Sequence, residues 1–222
     1  MRRNPFALAV VWLLAMALAL AEAAFVLGGA GVIGGPEAAA WRLEAIQRVG
    51  VAPAMTDWML ENRSLPPDLL LRFAGYAFVH DAPLQALFVV MLVAGLGRTL
   101  AARMGGGAIL AIFVLGAAGG GLGYALAGLD AQLLVGGLPA VFALLGAFAA
   151  LLVAGQIPAG LLRVRALALI ALAVALRVAL GLWVEDGARW SADIAGFVTG
   201  ALLAAVLRPG GWRALRGRVR HG

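Results

Sequence analysis

The sequence has no cysteine, no lysine, and only two histidines and two serines. Without cysteine there are no disulfides and no thiol chemistry, and the redox compartment cannot be read. Two histidines without a cysteine leave no ligand set for a structural zinc site. No metal and no cofactor are therefore expected. Charge is scarce as well: 13% of the residues are charged and 64% are hydrophobic, with a mean hydropathy of +0.99. Soluble domains are typically about 25% charged and about 45–50% apolar, so a soluble fold is excluded. All 17 basic residues are arginine and the net charge is +6. Arginine-only usage in an Ala-, Gly- and Leu-rich chain points to a GC-rich bacterial source.

What is abundant is long apolar sequence. Six runs approach or reach the ~20 residues that a helix needs to cross a bilayer: Phe6–Leu27, Ala82–Leu100, Ala108–Leu126, Leu133–Ala154, Ala166–Val184 and Trp190–Leu207. The segment from Gly28 to Asp81 is different. It carries Trp41, Trp58, several charges and Pro36, Pro53, Pro66 and Pro67, which predicts short, proline-broken helices lying at the membrane interface. One membrane domain over residues 1–222 is expected. It comprises a first span (1–28), an extracytoplasmic interfacial loop (29–81), five further spans (82–207) and a basic tail (208–222).

The charges orient this domain. Arg2 and Arg3 precede the first span, Arg98 and Arg103 join spans two and three, and Arg163 and Arg165 join spans four and five. Arg208, Arg213, Arg216, Arg218 and Arg220 follow the sixth. The loop carboxylates Glu37, Glu44, Asp57, Glu61, Asp68, Asp81, Asp130, Glu185 and Asp186 all fall in the alternate loops. The positive-inside rule then places both termini in the cytoplasm, in a bacterial inner membrane. The tail serves as a topology signal that touches anionic lipid, not as a nucleic-acid site. Ala21-Glu22-Ala23 after an apolar run could pass for a signal-peptide cleavage site, but the run is longer than a usual signal core, so a retained span is expected.

From Leu71 to Leu207 the residues resemble the rhomboid intramembrane serine proteases. Leu71-Arg72 stands where family members carry Trp-Arg in the first loop, and His80 stands where a histidine often tops the second helix. The family's His-x-x-x-Asn, a source of oxyanion donors, reads Gln85-Ala-Leu-Phe-Val89 here. The turn that follows, with a glutamate between two glycines in the family, reads Gly97-Arg-Thr-Leu-Ala101-Ala-Arg-Met-Gly105. The family's G-x-S-G-A stretch of the fourth helix reads Gly136-Gly137-Leu138-Pro139-Ala140, continuing to Phe142 and Gly146. The sixth-helix A-H-x-x-G-x-x-x-G reads Ala192-Asp193-Ile194-Ala195-Gly196-Phe197-Val198-Thr199-Gly200. The resemblance implies an all-α membrane protein, a six-transmembrane-helix bundle with a long interfacial first loop. It also implies that Leu138 and Pro139 replace the nucleophile and its glycine, Asp193 the base, and Gln85 and Val89 the oxyanion donors.

A serine mechanism needs a hydroxyl nucleophile, an imidazole within reach and oxyanion donors. At these positions none is left. A substitute dyad of Ser191 with His80 is the remaining way to chemistry, but Ser191 opens a span where an N-capping hydroxyl is expected, and His80 reads as an interfacial hydrogen-bonding residue. The small residues survive: Gly136, Gly137, Ala140, Ala143 and Gly146 are expected to face Ala192, Gly196 and Gly200, since close packing of small residues drives helix association in lipid. Gly119-Gly120-Gly121-x-Gly123 reads as a flexible helix end or a close-approach surface and lacks the strand-to-helix context of a phosphate loop.

Three ionisable residues lie within spans: Glu22, Arg177 and Asp193. Such groups are costly in lipid and pair or face inward. Arg177 is expected to form a structural ion pair with Asp193 or with Glu22; the alternative is that a carboxylate awaits a partner protein's arginine. The leading expectation is a catalytically inactive rhomboid-like protein that binds an integral membrane protein client or complex. Its contact surface would include the first loop with Trp41 and Trp58 and the opening between spans two and five. No soluble small-molecule substrate is expected. The competing readings are an active rhomboid-type endopeptidase with non-standard residues and a small-molecule transporter. The transporter lacks support from inverted repeats or mid-membrane polar residues.

Overall fold

The structure, a computed structural model, describes residues 5–128, 132–157, 160, 162–183 and 188–211. Helix α1 spans Pro5–Gly29, α2 Trp41–Val49, α3 Pro53–Glu61, α4 Pro67–Gly75 and α5 Pro83–Met104. They are followed by α6 (Gly106–Ala127), α7 (Leu138–Val153), α8 (Leu162–Trp183) and α9 (Arg189–Leu207). Short 3-10 turns at Pro36–Ala40 and Tyr76–Phe78 complete the first loop. Among the described residues there is no β-strand, only an isolated antiparallel bridge between Val51 and Leu134. Arg2, Arg3, Asp130, Glu185, Asp186, Arg213, Arg216, Arg218 and Arg220, used above for topology, lie outside the described residues, as does the expected end of the fifth span at Val184.

The protein is an all-helical, multi-pass membrane protein. Helices α1, α5, α6, α8 and α9 are long and apolar enough to cross a membrane. The fourth expected span differs. It was expected over Leu133–Ala154, but α7 begins only at Leu138 and has 16 residues, about 24 Å at the α-helical rise, short of the ~30 Å hydrocarbon core. The reason is local. Leu134 exchanges both backbone hydrogen bonds with Val51, at 2.8 and 3.1 Å, and Gly136 N–H donates to the Tyr76 carbonyl at 3.0 Å. With these groups engaged elsewhere, and Gly136 at φ +107°, the segment stays out of the helix until α7 begins at Leu138, with Pro139 in its first turn.

Proline sets the other starts. Pro53, Pro67 and Pro83 each stand in the first turn of α3, α4 and α5, and Pro36 opens the first 3-10 turn. There the missing N–H costs nothing and the fixed φ suits a helix. The first loop is thus a chain of short helices, as its prolines predict. Gly105, at φ +86°, lets α5 turn directly into α6; that left-handed conformation is open to glycine at no steric cost.

Helix α7 occupies the centre, packed against α5, α6 and α9, and its pairing with α9 is the most extensive in the molecule. Helix α1 packs on α5 and α6, whereas α8 lies outermost, with only Ile170 and Gly181 buried. Small residues make the central contacts. A Cβ on Gly196 would strike the Pro139 carbonyl, one on Gly200 the Ala143 carbonyl, and one on Gly146 the Phe197 carbonyl. Ala140, Ala143 and Ala192 are fully buried beside them. Gly136 and Gly137 do not belong to this seam. Both precede the helix, Gly136 against Gln85 and Gly137 against Val89 and His80. The α6 glycines extend the seam instead: Gly119 lies on Thr199, Gly120 on Pro139 and Gly123 on Ala195.

Replacing Gly196 by alanine therefore overpacks a backbone-to-backbone contact and is expected to lower stability by about 1–3 kcal/mol. Gly95 of α5 has open space around it, so Gly95→Ala is expected to be neutral or to stabilise by up to about 1 kcal/mol. SDS-titrated unfolding in mild detergent measures both; equal effects would contradict the packing account.

Candidate functional site

The polar residues of the bundle gather where α7 begins. Gln85, Leu134, Val135, Leu138, Pro139, Arg177, Arg189 and Asp193 line a cleft of about 70 Å³, room for a water molecule or two. Among these lining residues none carries a hydroxyl or a thiol. The tertiary structure thus brings Gln85, Leu138, Pro139, Asp193 and Arg177 together from α5, α7, α8 and α9. Val89 sits one turn beyond Gln85, fully buried against Gly137.

Asp193 is almost wholly enclosed, and Arg177 Nε donates to its Oδ2 at 2.6 Å. The pair ties the outermost helix, α8, to α9. One turn earlier on α9, Arg189 Nη1 donates to Asp81 Oδ2 at 2.7 Å, fastening the loop before α5 to the start of α9. Gln85 Oε1 accepts from the Asp81 backbone N–H at 3.2 Å, so the amide side chain caps this loop.

Glu22 does not join this group. The sequence offered it as a second partner for Arg177, but α8 packs on α7 and α9, while α1 packs on α5, α6 and the first loop. Arg42, at the start of α2, folds back over α1 instead. It binds Glu22 bidentately at 2.5 and 3.2 Å, donates to the His80 carbonyl at 2.6 Å and lies 5.3 Å from the Phe25 ring centroid. Arg42, Arg189 and Asp81 are the functional-site residues that sequence reasoning missed as partners. The available signal was Glu22 itself: a carboxylate in a span requires a cation at matching depth, and Trp41-Arg42 follows in the next loop.

His80 is fully buried. Its Nε2 accepts from the Gly137 N–H at 3.4 Å, which puts the ring proton on Nδ1, and Nδ1 has no partner among the described residues. Burial pushes its pKa below the ordinary value; Arg42 adds to this, against the opposing pulls of Glu22 and Asp81. Among the described residues no hydrogen bond joins Ser191 to His80. Ser191 lies in the first turn of α9, where its hydroxyl donates to the Ala188 carbonyl at 2.6 Å; Ala188, not Ser191, is the N-cap.

The two tyrosines, also missed, lock the surroundings. Tyr76 donates to the Ala117 carbonyl at 2.8 Å and Tyr124 to the Gln132 carbonyl at 2.7 Å, and both are fully buried. Burial, reinforced by the Asp193 charge, holds the Tyr76 phenol well above its ordinary range, so it remains a neutral donor. Arg72 lies away from the α7 cleft and braces the first loop: its Nη1 donates to the carbonyls of Gln47 and Gly50 at 3.3 and 3.4 Å, joining α4 to the end of α2. Trp41 packs over Gly28 and Gly34, whereas Trp58 is half exposed. Among the described residues no three His, Cys, Asp or Glu side chains gather as metal ligands would.

A polytopic helical bundle whose central short helix starts beside a buried polar cleft defines a class of intramembrane proteins. The sequence match is specific about which one. The Rhomboid domain matches residues 67–210, more than half of the chain, and the protein belongs to the rhomboid family. No curated protein matches the sequence.

Removing Arg177 leaves Asp193 buried without its cation. Arg177→Ala is expected to cost about 3–5 kcal/mol in SDS-titrated unfolding, and Arg177→Leu combined with Asp193→Leu to recover most of it. Independent, additive effects would show that the contact is not an energetic pair. His80 gives a pH signature. Above about pH 6.5 both folded and unfolded histidines are neutral. As pH falls below that value the unfolded chain takes up a proton that the folded chain resists, so stability is lost progressively toward the lowered folded pKa. The melting temperature is expected to drop between pH 7 and pH 5, and to drop less in His80→Gln.

Proposed function

We propose that this rhomboid-family protein is catalytically inactive and holds other integral membrane proteins without cutting them. The observation that carries the reading is the content of the cleft. The position that the family resemblance gives to the nucleophile is Leu138, followed by Pro139, and opposite it Asp193 is engaged by Arg177 at 2.6 Å. A carboxylate held in an ion pair is a poor proton acceptor, and a leucine side chain offers no nucleophilic atom. Val89 supplies no donor for an oxyanion. Ser191, the hydroxyl nearest in sequence to Asp193, is committed to its own helix start.

In this reading the Arg177–Asp193 pair takes over a structural role in the former catalytic space, and the α6–α7–α9 seam is retained to present membrane-facing surfaces. α7 is then the sixth membrane element, shorter than the others because the chain enters it from an extended segment. The client surface comprises the first-loop helices, with exposed Trp58, and the flank between α5 and α8. In this reading the protein is a single domain of a bacterial inner membrane with both termini in the cytoplasm, which the arginines of the connecting loops support.

The reading is tested in proteoliposomes holding single-span reporter substrates. No cleavage and no labelling by a fluorophosphonate probe are expected, together with a stoichiometric integral membrane partner after mild-detergent purification. Labelling that disappears in Ser191→Ala would sink the proposal, as would cleavage that is lost in His80→Gln.

A further inference from the structure

A second cavity lies away from the α7 cleft, on the first-loop helices. It measures about 590 Å³ and opens between α2 and α4, with Arg48, Arg72 and Asp68 around it and Val49, Leu71 and Phe78 among its walls. Three properties set it apart. Its size falls within the range of small-ligand sites, roughly 300–1,000 Å³. Its lining combines an apolar floor with charges of both signs. Among the described residues these charges form no ion pairs, with each other or with anything else. Asp68 and Arg72 are four residues apart on α4, the spacing at which helical charges pair, yet Arg72 turns to the carbonyls of Gln47 and Gly50. Arg48, on the far wall, makes no hydrogen bond or ion pair among the described residues.

The site's depth follows from its neighbours. Leu43, Leu60 and Leu71 are all more than half exposed on the short helices of this loop, as expected of helices lying in the headgroup and upper acyl region of a bilayer. Aqueous anions would not be matched by Leu71 and Phe78, and a purely anionic ligand would be repelled by Asp68. The combination calls for a ligand with a phosphate, a cation a few bonds away and an apolar tail.

We propose that this cavity binds a phospholipid with an amine headgroup, a phosphoethanolamine. The phosphate is taken by Arg48 and Arg72, whose guanidinium groups suit phosphate oxygens. The primary ammonium is taken by Asp68, and the upper acyl chain lies along Val49, Leu71 and Phe78. The assignment stands whether or not the protein cuts substrates, because it shares no residue with the cleft at α7. Its consequence is that a bound lipid bridges α2 and α4 and stiffens the first loop.

The full-length protein is purified in mild detergent, and binding is read by native mass spectrometry and by thermal shift. The added lipids are phosphatidylethanolamine, phosphatidylcholine and phosphatidylglycerol of one acyl composition, with glycerophosphoethanolamine as the soluble arm. Phosphatidylethanolamine is expected to bind about five- to tenfold more tightly than the other two lipids, on the scale of one net hydrogen bond. Arg48→Gln removes a positive charge from the phosphate site without touching the brace made by Arg72, and is expected to weaken phosphatidylethanolamine by a similar factor with the unliganded melting temperature unchanged. Asp68→Asn is expected to abolish the preference over phosphatidylglycerol. Equal binding of the three lipids, or unchanged selectivity in both variants, overturns the proposal. Glycerophosphoethanolamine binding as tightly as the lipid also overturns it, since the ligand would then be soluble.

Discussion

In a bilayer, lipid tails are as apolar as leucine, so helices gain little by hiding hydrophobic faces from their surroundings. What is left is contact, and contact between backbones needs residues without side chains in the way. Gly196 and Gly200 of α9 rest on the carbonyls of Pro139 and Ala143, and Gly146 of α7 rests on Phe197. From α6, Gly119, Gly120 and Gly123 close the same seam. The position of α9 relative to the start of α7 is therefore fixed by steric exclusion. That is why Asp193, one turn before Gly196, faces the same cleft as Leu138 and Pro139.

The charged groups are organised around this frame. Each described ion pair joins two different elements: Glu22 with Arg42 holds α2 over α1, Asp81 with Arg189 holds the α5 loop to α9, and Asp193 with Arg177 holds α8 to α9. Breaking such a pair in a poorly solvated site costs more than the pair itself contributes, because an unpaired charge is left behind. The pairs thus specify arrangement more than they add net stability. This matters most for α8, which has few buried residues of its own and is joined to the bundle through Arg177 and through Gly181 packed on Trp190.

Family membership and inactivity stand on different ground. The glycine seam spans three helices and the Rhomboid domain match covers residues 67–210. The proposed loss of chemistry rests on a handful of positions at one helix end. These two levels are compatible because the seam imposes geometry without imposing reactivity. A leucine at position 138 and an aspartate at 193 fit the same frame, provided a cation such as Arg177 meets the carboxylate.

The sequence by itself determined the apolar surroundings, the five long apolar helices, the proline-broken first loop and the family resemblance. These follow from composition and short-range pattern, which each residue carries with it. It also named Arg177 with Asp193 as candidates, since both require a partner at similar depth. Only the tertiary structure decided which partners meet. Glu22 was consistent with Arg177 by depth, yet α1 and α8 do not pack together, and Arg42 reaches Glu22 first. Leu133–Gly137 read as helix by hydropathy, yet hydrogen bonds with Val51, Tyr76 and His80, distant in sequence, hold it out of the helix. The glycines of α6 read either as a flexible end or as a close-approach surface, and only the packing of α9 on Gly119, Gly120 and Gly123 decided for the second. In each case the deciding interaction joins residues far apart in the chain, and no local pattern encodes the side of a helix on which a neighbour arrives.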